Sequence, residues 1–190
     1  ALVGLVGSEM CIRDSMKSLV LGGVKSGKSR FAEQCAREWS ERPGNRETDV
    51  IYLATAESGD DEFSQRIARH KHQRPDTWQT VEDPREIAKI IEETSGANKC
   101  LLVECLTLWM SNLLHDDRQL ESRIDEFYQA VARYDGEIIL VSNETGLGIM
   151  PVNALARRFG DEMGVVHQRL AGMCDRVVLT VAGLPHFLKQ

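Results

Sequence analysis

Residues Gly22, Gly23, Val24, Lys25, Ser26, Gly27, Lys28 and Ser29 follow the spacing G-x-x-x-x-G-K-[ST]. That pattern builds a loop whose backbone N–H groups wrap phosphate oxygens. Glycine lets the chain approach an anion closely, and a helix starting at the loop's end adds its positive dipole. In such a loop Lys28 reaches the β- and γ-phosphates, and the Ser29 hydroxyl ligates Mg²⁺. An ordinary glycine-rich turn could carry the same letters. Context favours the phosphate loop, because an apolar strand runs into Gly22 and an amphipathic helix begins near Lys28. A Mg²⁺ site also needs an acid at the end of a neighbouring strand. The run Cys100 to Cys105 supplies Glu104 after four apolar residues, where Asp is more usual; a plain strand-end charge is the alternative. Ser142, Asn143 and Glu144 end another apolar run, at the carboxyl edge where ligands bind in parallel sheets.

A second constellation lies between Asp60 and Asp83. Arg66, Arg69, His70, Lys71, His72 and Arg74 form a dense basic cluster in an acidic chain. A solvated helix face would look similar. Beside a phosphate loop, however, such a cluster would suit a nucleotide's phosphates. Lys71 and Arg74, with Lys25 and Lys28, could hold the phosphate charge. His70 and His72 form H-x-H, but no third metal ligand accompanies them.

The elements that must position these groups follow from apolar periodicity. Strands are expected at Ser18–Leu21, Asp49–Ala54, Thr77–Val81, Cys100–Cys105, Glu137–Ser142 and, last, Arg176–Val181. Helices are expected at Lys28–Glu41, with Phe31, Cys35 and Trp39 on one face, then at Asp60–His72, from Pro84 through Glu93, at Thr107–Leu114 and at Ser122–Tyr134. Asn153–Ala171 follows as a long helix with Leu155, Phe159, Met163, Val166 and Leu170 on its apolar face. Strands apolar throughout, alternating with helices, predict an α/β fold: a mostly parallel sheet covered on both faces. The first fifteen residues do not resemble the rest and read as extraneous sequence ahead of a start at Met16; residues 16–190 are expected to form one catalytic domain.

Composition narrows the function. The 190 residues carry a net charge of −6, so no global field favours nucleic acid or an anionic membrane. No apolar run is long enough to span a bilayer. Five cysteines without C-x-x-C spacing argue against zinc and against a disulfide framework; free thiols suit a reducing cytoplasm. From the residues alone, three readings compete: a small-molecule kinase using only the phosphate loop, a RecA-like ATPase on nucleic acid, disfavoured by charge, and a regulatory nucleotide-binding module. His70 in its basic cluster discriminates, since neither kinase nor module needs a nucleophilic histidine.

The motifs GGVKSGKS, YLATAE, DDE followed by RIxxHxxxRPxxWxTVE, VECLTLWMSNLL and NETGLGIMP occur in that order. Together they resemble the bifunctional adenosylcobinamide kinase / adenosylcobinamide-phosphate guanylyltransferase family, over about Lys17 to Ala182. The resemblance implies a RecA-like P-loop NTPase fold and two reactions. In the first, ATP or GTP phosphorylates the aminopropanol hydroxyl of adenosylcobinamide. In the second, a histidine displaces pyrophosphate from GTP and passes GMP to the substrate phosphate. The motif places that histidine at His70, with His72 its local competitor. The resemblance further implies that Ala54, Thr55, Ala56, Lys71, His72, Gln73, Arg74, Glu82 and Glu104 line the nucleotide site, that Mg²⁺ sits with Ser29 and Glu104, and that the protein is a homo-oligomer, a trimer being one such state. Glu82 could accept from guanine N1–H and N2–H₂. The chain departs from the pattern at Glu104, Gly160 and Val165. His167 and His186 are expected to be structural or exposed. The competing assignment is a P-loop kinase without guanylyltransferase activity.

Overall fold

The computed structural model describes residues 15–57, 75–115 and 119–190. Seven strands form one sheet in the order β3-β2-β4-β5-β1-β6-β7. They are β1 (Lys17–Gly22), β2 (Val50–Ala54), β3 (Gln79–Glu82), β4 (Cys100–Glu104), β5 (Glu137–Asn143), β6 (Arg176–Val181) and β7 (Leu184–Lys189). The first six in spatial order are parallel, and β7 closes the edge antiparallel to β6. The helices are α1 (Lys28–Ser40), α2 (Ile87–Glu93), α3 (Leu106–Leu114), α4 (Leu120–Arg133) and α5 (Ala154–Met173).

Strand residues alternate between two cores because successive side chains leave opposite faces of a sheet. Leu19, Leu53, Leu101, Val103, Ile138 and Leu140 meet α2, α3, α4 and α5 on one face. Val20, Tyr52, Leu102, Ile139 and Val141 meet α1 and Trp78 on the other. Burial on both faces is why these strands read as continuous apolar runs.

Helix α1 buries Ala32, Cys35, Ala36 and Trp39, spacings of three and four that make one face. Phe31 is at that face's margin, its ring edge-on to Phe187 with centroids 6.2 Å apart. Helix α5 starts where the Asn153 carboxamide accepts from the N–H groups of Leu155 and Ala156. Met163, Val166 and Leu170 are buried along it, whereas Leu155 is exposed and His167 is buried in addition.

Three expectations need correction. Arg176–Val181 is not the last strand. β7 follows it, exposed along its whole length; its apolar residues Leu184, Phe187 and Leu188 neither alternate nor form a continuous run, and Pro185 argues against a strand. Pro84 does not enter the first helical turn: Asp83 Oδ1 accepts from the N–H groups of Arg85 and Glu86, and the helix begins at Ile87. The strand expected at Thr77–Val81 lies at Gln79–Glu82, because Trp78 turns into the core, 5% exposed. The helix expected at Asp60–His72 and the first fourteen residues lie outside the described residues.

Candidate functional site

Strand β1 stops at Gly22, and α1 begins at Lys28. Between them Lys25 and Gly27 have φ of 55° and 97°, the left-handed region that allows a tight reversal. Ser26 N–H donates to the Gly23 carbonyl at 3.2 Å. Lys28, only 7% exposed, folds its ammonium back to the same carbonyl at 3.3 Å. The Ser29 hydroxyl donates to Glu104 Oε1 at 2.6 Å. The two residues expected to flank Mg²⁺ therefore meet, although β5 separates the strand that leads into the loop from the strand that carries Glu104. Both offer hard oxygen donors of the kind Mg²⁺ takes alongside phosphate oxygens and water, so the pair fits the ion.

The loop is braced from behind by residues that no local motif singles out. Ser26 Oγ and Thr180 Oγ1 share a hydrogen bond at 2.9 Å, Thr180 Oγ1 also donates to the Leu21 carbonyl, and Gly183 N–H donates to the Ser26 carbonyl at 2.8 Å. A Cβ on Gly22 would collide with both hydroxyls and come 2.8 Å from the Thr180 carbonyl, whereas one on Gly23 would meet nothing within 4 Å. The signal that could have revealed this brace is Gly183, a glycine shortly after an apolar strand.

Glu82, Ala54 and Glu104 stand in register at the carboxyl ends of β3, β2 and β4. The structure thus brings the expected acids into one row at the edge of the sheet that carries the phosphate loop. Thr55 is fully buried, and its hydroxyl is spent on the backbone: it donates to the Cys105 carbonyl and accepts from the Cys105 N–H. It fixes the end of β4, and Asn112 holds the Thr55 carbonyl in turn. Ala56 is half-buried, Glu82 is exposed and Val24 is exposed. His70, Lys71, His72, Gln73 and Arg74 lie outside the described residues. The chain on either side is anchored: Glu57 pairs with Arg85 at 3.3 Å, and buried Trp78 carries the Arg37 guanidinium 5.6 Å from its ring centroid.

A second polar group sits at the end of β5. His167 is buried, with Nε2 2.8 Å from Ser142 Oγ and Nδ1 3.8 Å from Glu144 Oε2. Burial lowers its pKa, and the Glu144 charge opposes that only partly. His186 is exposed. The four described cysteines are free and buried. Burial pushes all of their thiols up, Cys174 to about 12, so none is a thiolate nucleophile. Among the described residues, no helix is long and apolar enough to cross a membrane.

Residues 18–188 match the family described as cobinamide kinase / cobinamide phosphate guanyltransferase. The chain is similar to the bifunctional adenosylcobalamin biosynthesis protein CobP of Pseudomonas aeruginosa, with 46% identity over 176 residues, 92% of this chain and 98% of the relative. It is 38% identical to CobU of Salmonella typhimurium and 35% identical to CobU of Escherichia coli, in each case over 89% of this chain and 97% of the relative. Among solved structures it resembles a KaiC-like protein from Pyrococcus horikoshii, with a TM-score of 0.51 and 15% identity over 86% of this chain and 70% of that one. That likeness concerns the fold alone.

Proposed function

The chain belongs to the cobinamide kinase / cobinamide phosphate guanyltransferase family, and from that premise we propose how its residues divide the work. The enzyme is bifunctional, a kinase and a nucleotidyltransferase of adenosylcobalamin biosynthesis. In the kinase step the phosphate loop, residues 22–29, holds the triphosphate of ATP or GTP. Lys28 leaves the Gly23 carbonyl to meet the β- and γ-phosphates. The aminopropanol hydroxyl of adenosylcobinamide attacks the γ-phosphorus and gives up its proton to solvent, the bond to the β–γ bridging oxygen breaks, and the nucleoside diphosphate leaves with that electron pair. Ser29 and Glu104 would hold Mg²⁺, which when bound neutralises phosphate charge.

In the second step, neutral His70 attacks the α-phosphorus of GTP. A nitrogen–phosphorus bond forms and pyrophosphate leaves with the electron pair of the broken bond. A phosphate oxygen of adenosylcobinamide phosphate then attacks the same phosphorus, the nitrogen–phosphorus bond breaks, and adenosylcobinamide-GDP forms. Lys25, Lys71 and Arg74 stabilise the charge on the phosphates, with His72 and Gln73 beside them. Ala54 and Ala56 form the floor, which buried Thr55 braces from beneath through the Cys105 backbone, and Glu82 recognises guanine.

The observation that carries this reading is the 2.6 Å Ser29–Glu104 bond at the mouth of the strand–loop–helix unit. A cytoplasmic setting suits the four free thiols. Exposed Leu147, Ile149, Met150 and Val152, four large apolar residues within six positions, support a homo-oligomer, since exposed apolar surface favours association. The test uses adenosylcobinamide, Mg²⁺ and either nucleotide. Lys28→Ala should lose both products, and His70→Ala should lose only adenosylcobinamide-GDP. Unchanged nucleotide affinity and turnover in Lys28→Ala would remove the phosphate-loop assignment.

A further inference from the structure

A chain of hydrogen bonds runs from α5 across the end of β5 to α3. The Asn143 N–H donates to Thr107 Oγ1 at 2.7 Å. Thr107 Oγ1 lies 3.3 Å from Ser142 Oγ, and Ser142 Oγ lies 2.8 Å from His167 Nε2. Ser142 is completely buried, and Thr107 and His167 nearly so. A backbone N–H can only donate, so Thr107 accepts from Asn143. One consistent arrangement then has Thr107 donating to Ser142 and Ser142 donating to an unprotonated Nε2. In that arrangement the ring proton is on Nδ1, 3.8 Å from Glu144 Oε2.

The place this chain ends is informative. Asn143 is in register with Gly22, the first residue of the phosphate loop. β5 lies between the loop's strand and the Glu104 strand. The Asn143 carboxamide oxygen is shut off from solvent and accepts no hydrogen bond among the described residues. Leaving a buried acceptor unpaired costs about 1–3 kcal/mol, so its retention there needs an explanation, and a donor brought by the substrate provides one.

We propose that Asn143 accepts a hydrogen bond from the attacking hydroxyl in the kinase step, and that His167, through Ser142 and Thr107, is the positioning residue that holds Asn143 in place. This rests on the phosphate-loop reading above. His167 does not touch the substrate. It fixes the hydrogen-bond direction of two buried hydroxyls, which fixes the backbone of Asn143 at the reacting end of the sheet. The guanylylation step does not use that hydroxyl and is independent of the chain.

The experiment measures three things in each variant: steady-state kinase kinetics, equilibrium nucleotide binding, and self-guanylylation from GTP labelled at the α-phosphate. Asn143→Ala, Thr107→Val and His167→Ala should each lower the kinase kcat about tenfold to a hundredfold, the scale of a small misplacement at a reacting centre. The nucleotide KM should stay within about twofold, and self-guanylylation should persist. His167→Gln, which restores an acceptor for Ser142, should recover most of the lost rate. The double variant His167→Ala/Asn143→Ala should be no slower than Asn143→Ala alone. Unchanged kcat in Asn143→Ala, additive losses in the double variant, or no rescue by glutamine would each overturn the proposal. If His167→Ala does not fold, His167→Gln against Thr107→Val decides the same question. Failure of the phosphate-loop reading would show elsewhere, as undiminished nucleotide binding in Lys28→Ala.

Discussion

Gly22 and Gly23 are adjacent, but the structure gives them opposite reasons for being glycine, and alanine substitutions separate those reasons. A Cβ on Gly22 would strike Ser26 Oγ, Thr180 Oγ1 and the Thr180 carbonyl, the last at 2.8 Å. Two of these groups are partners in a buried hydrogen bond of 2.9 Å, and the third is backbone of a paired strand. The bond is worth about 1 kcal/mol, and overpacking a closed site costs about 1–3 kcal/mol more. Lower unfolded-state entropy returns about 0.4–1 kcal/mol. Gly22→Ala should therefore lose roughly 1–3 kcal/mol, which for a chain of this size lowers Tm by about 2–12 °C. A Cβ on Gly23 would meet nothing within 4 Å, so there the entropy gain of about 0.4–1 kcal/mol is unopposed and Gly23→Ala should fold with a Tm raised by about 1–4 °C. Its methyl would enter the space where phosphate is held, and nucleotide binding should weaken. Thermal melts and equilibrium nucleotide titrations of the two variants make the comparison. Equal stability of Gly22→Ala and the parent, or a loss in Gly23→Ala as large as in Gly22→Ala, would refute this account of the loop.

Two further predictions concern stability. His167 has a folded pKa below its unfolded value of about 6.5, so the unfolded state binds its proton first and stability should fall as pH drops below that value. Asp49 is lowered by its hydrogen bonds to Lys99 and Arg46, so its contribution is present above about 3.8 and lost as pH falls through its still lower folded pKa. Denaturant titrations against pH should show both losses, and His167→Gln should remove only the one nearer neutrality; an unaltered profile would contradict the burial argument. Gly160 lies inside α5, and a methyl added there would meet nothing within 4 Å. Gly160→Ala should therefore raise stability by about 0.5–1 kcal/mol, and a loss on thermal melting would show that the position is not open.

The phosphate loop, its flanking strand and helix, and the acid at the end of β4 are legible because each is written in a few contiguous residues whose chemistry has one economical use. The parallel sheet is legible because its strands are buried on both faces. β7 is not, since Leu184, Phe187 and Leu188 are spaced without the alternation of a strand and Pro185 interrupts them. The brace behind the loop is also hidden: Thr180 and Ser26 are 154 residues apart, and nothing local marks either as a partner. Thr55 is legible as a site residue, but its task is not, because a buried hydroxyl and a ligand-facing one have the same letter. His167 reads in the sequence as structural or exposed; only the packing of α5 on the end of β5 reveals it as buried and joined to Ser142.

The central claim is that one chain carries both chemistries, the second through a covalent guanylyl-histidine. The most direct measurement incubates the protein with Mg²⁺ and GTP labelled at the α-phosphate, without corrinoid, followed by denaturation and peptide mapping. Label should appear on His70, be reversed by pyrophosphate, resist alkali and be released by acid. It should decline as pH falls through the imidazole pKa, roughly 6.5 for an unperturbed ring. GTP labelled at the γ-phosphate should leave no label, His70→Ala should abolish the α-label, and His72→Ala should retain most of it. Catalytically active protein that takes up no α-label, or takes it up at a residue other than His70, would contradict the mechanism.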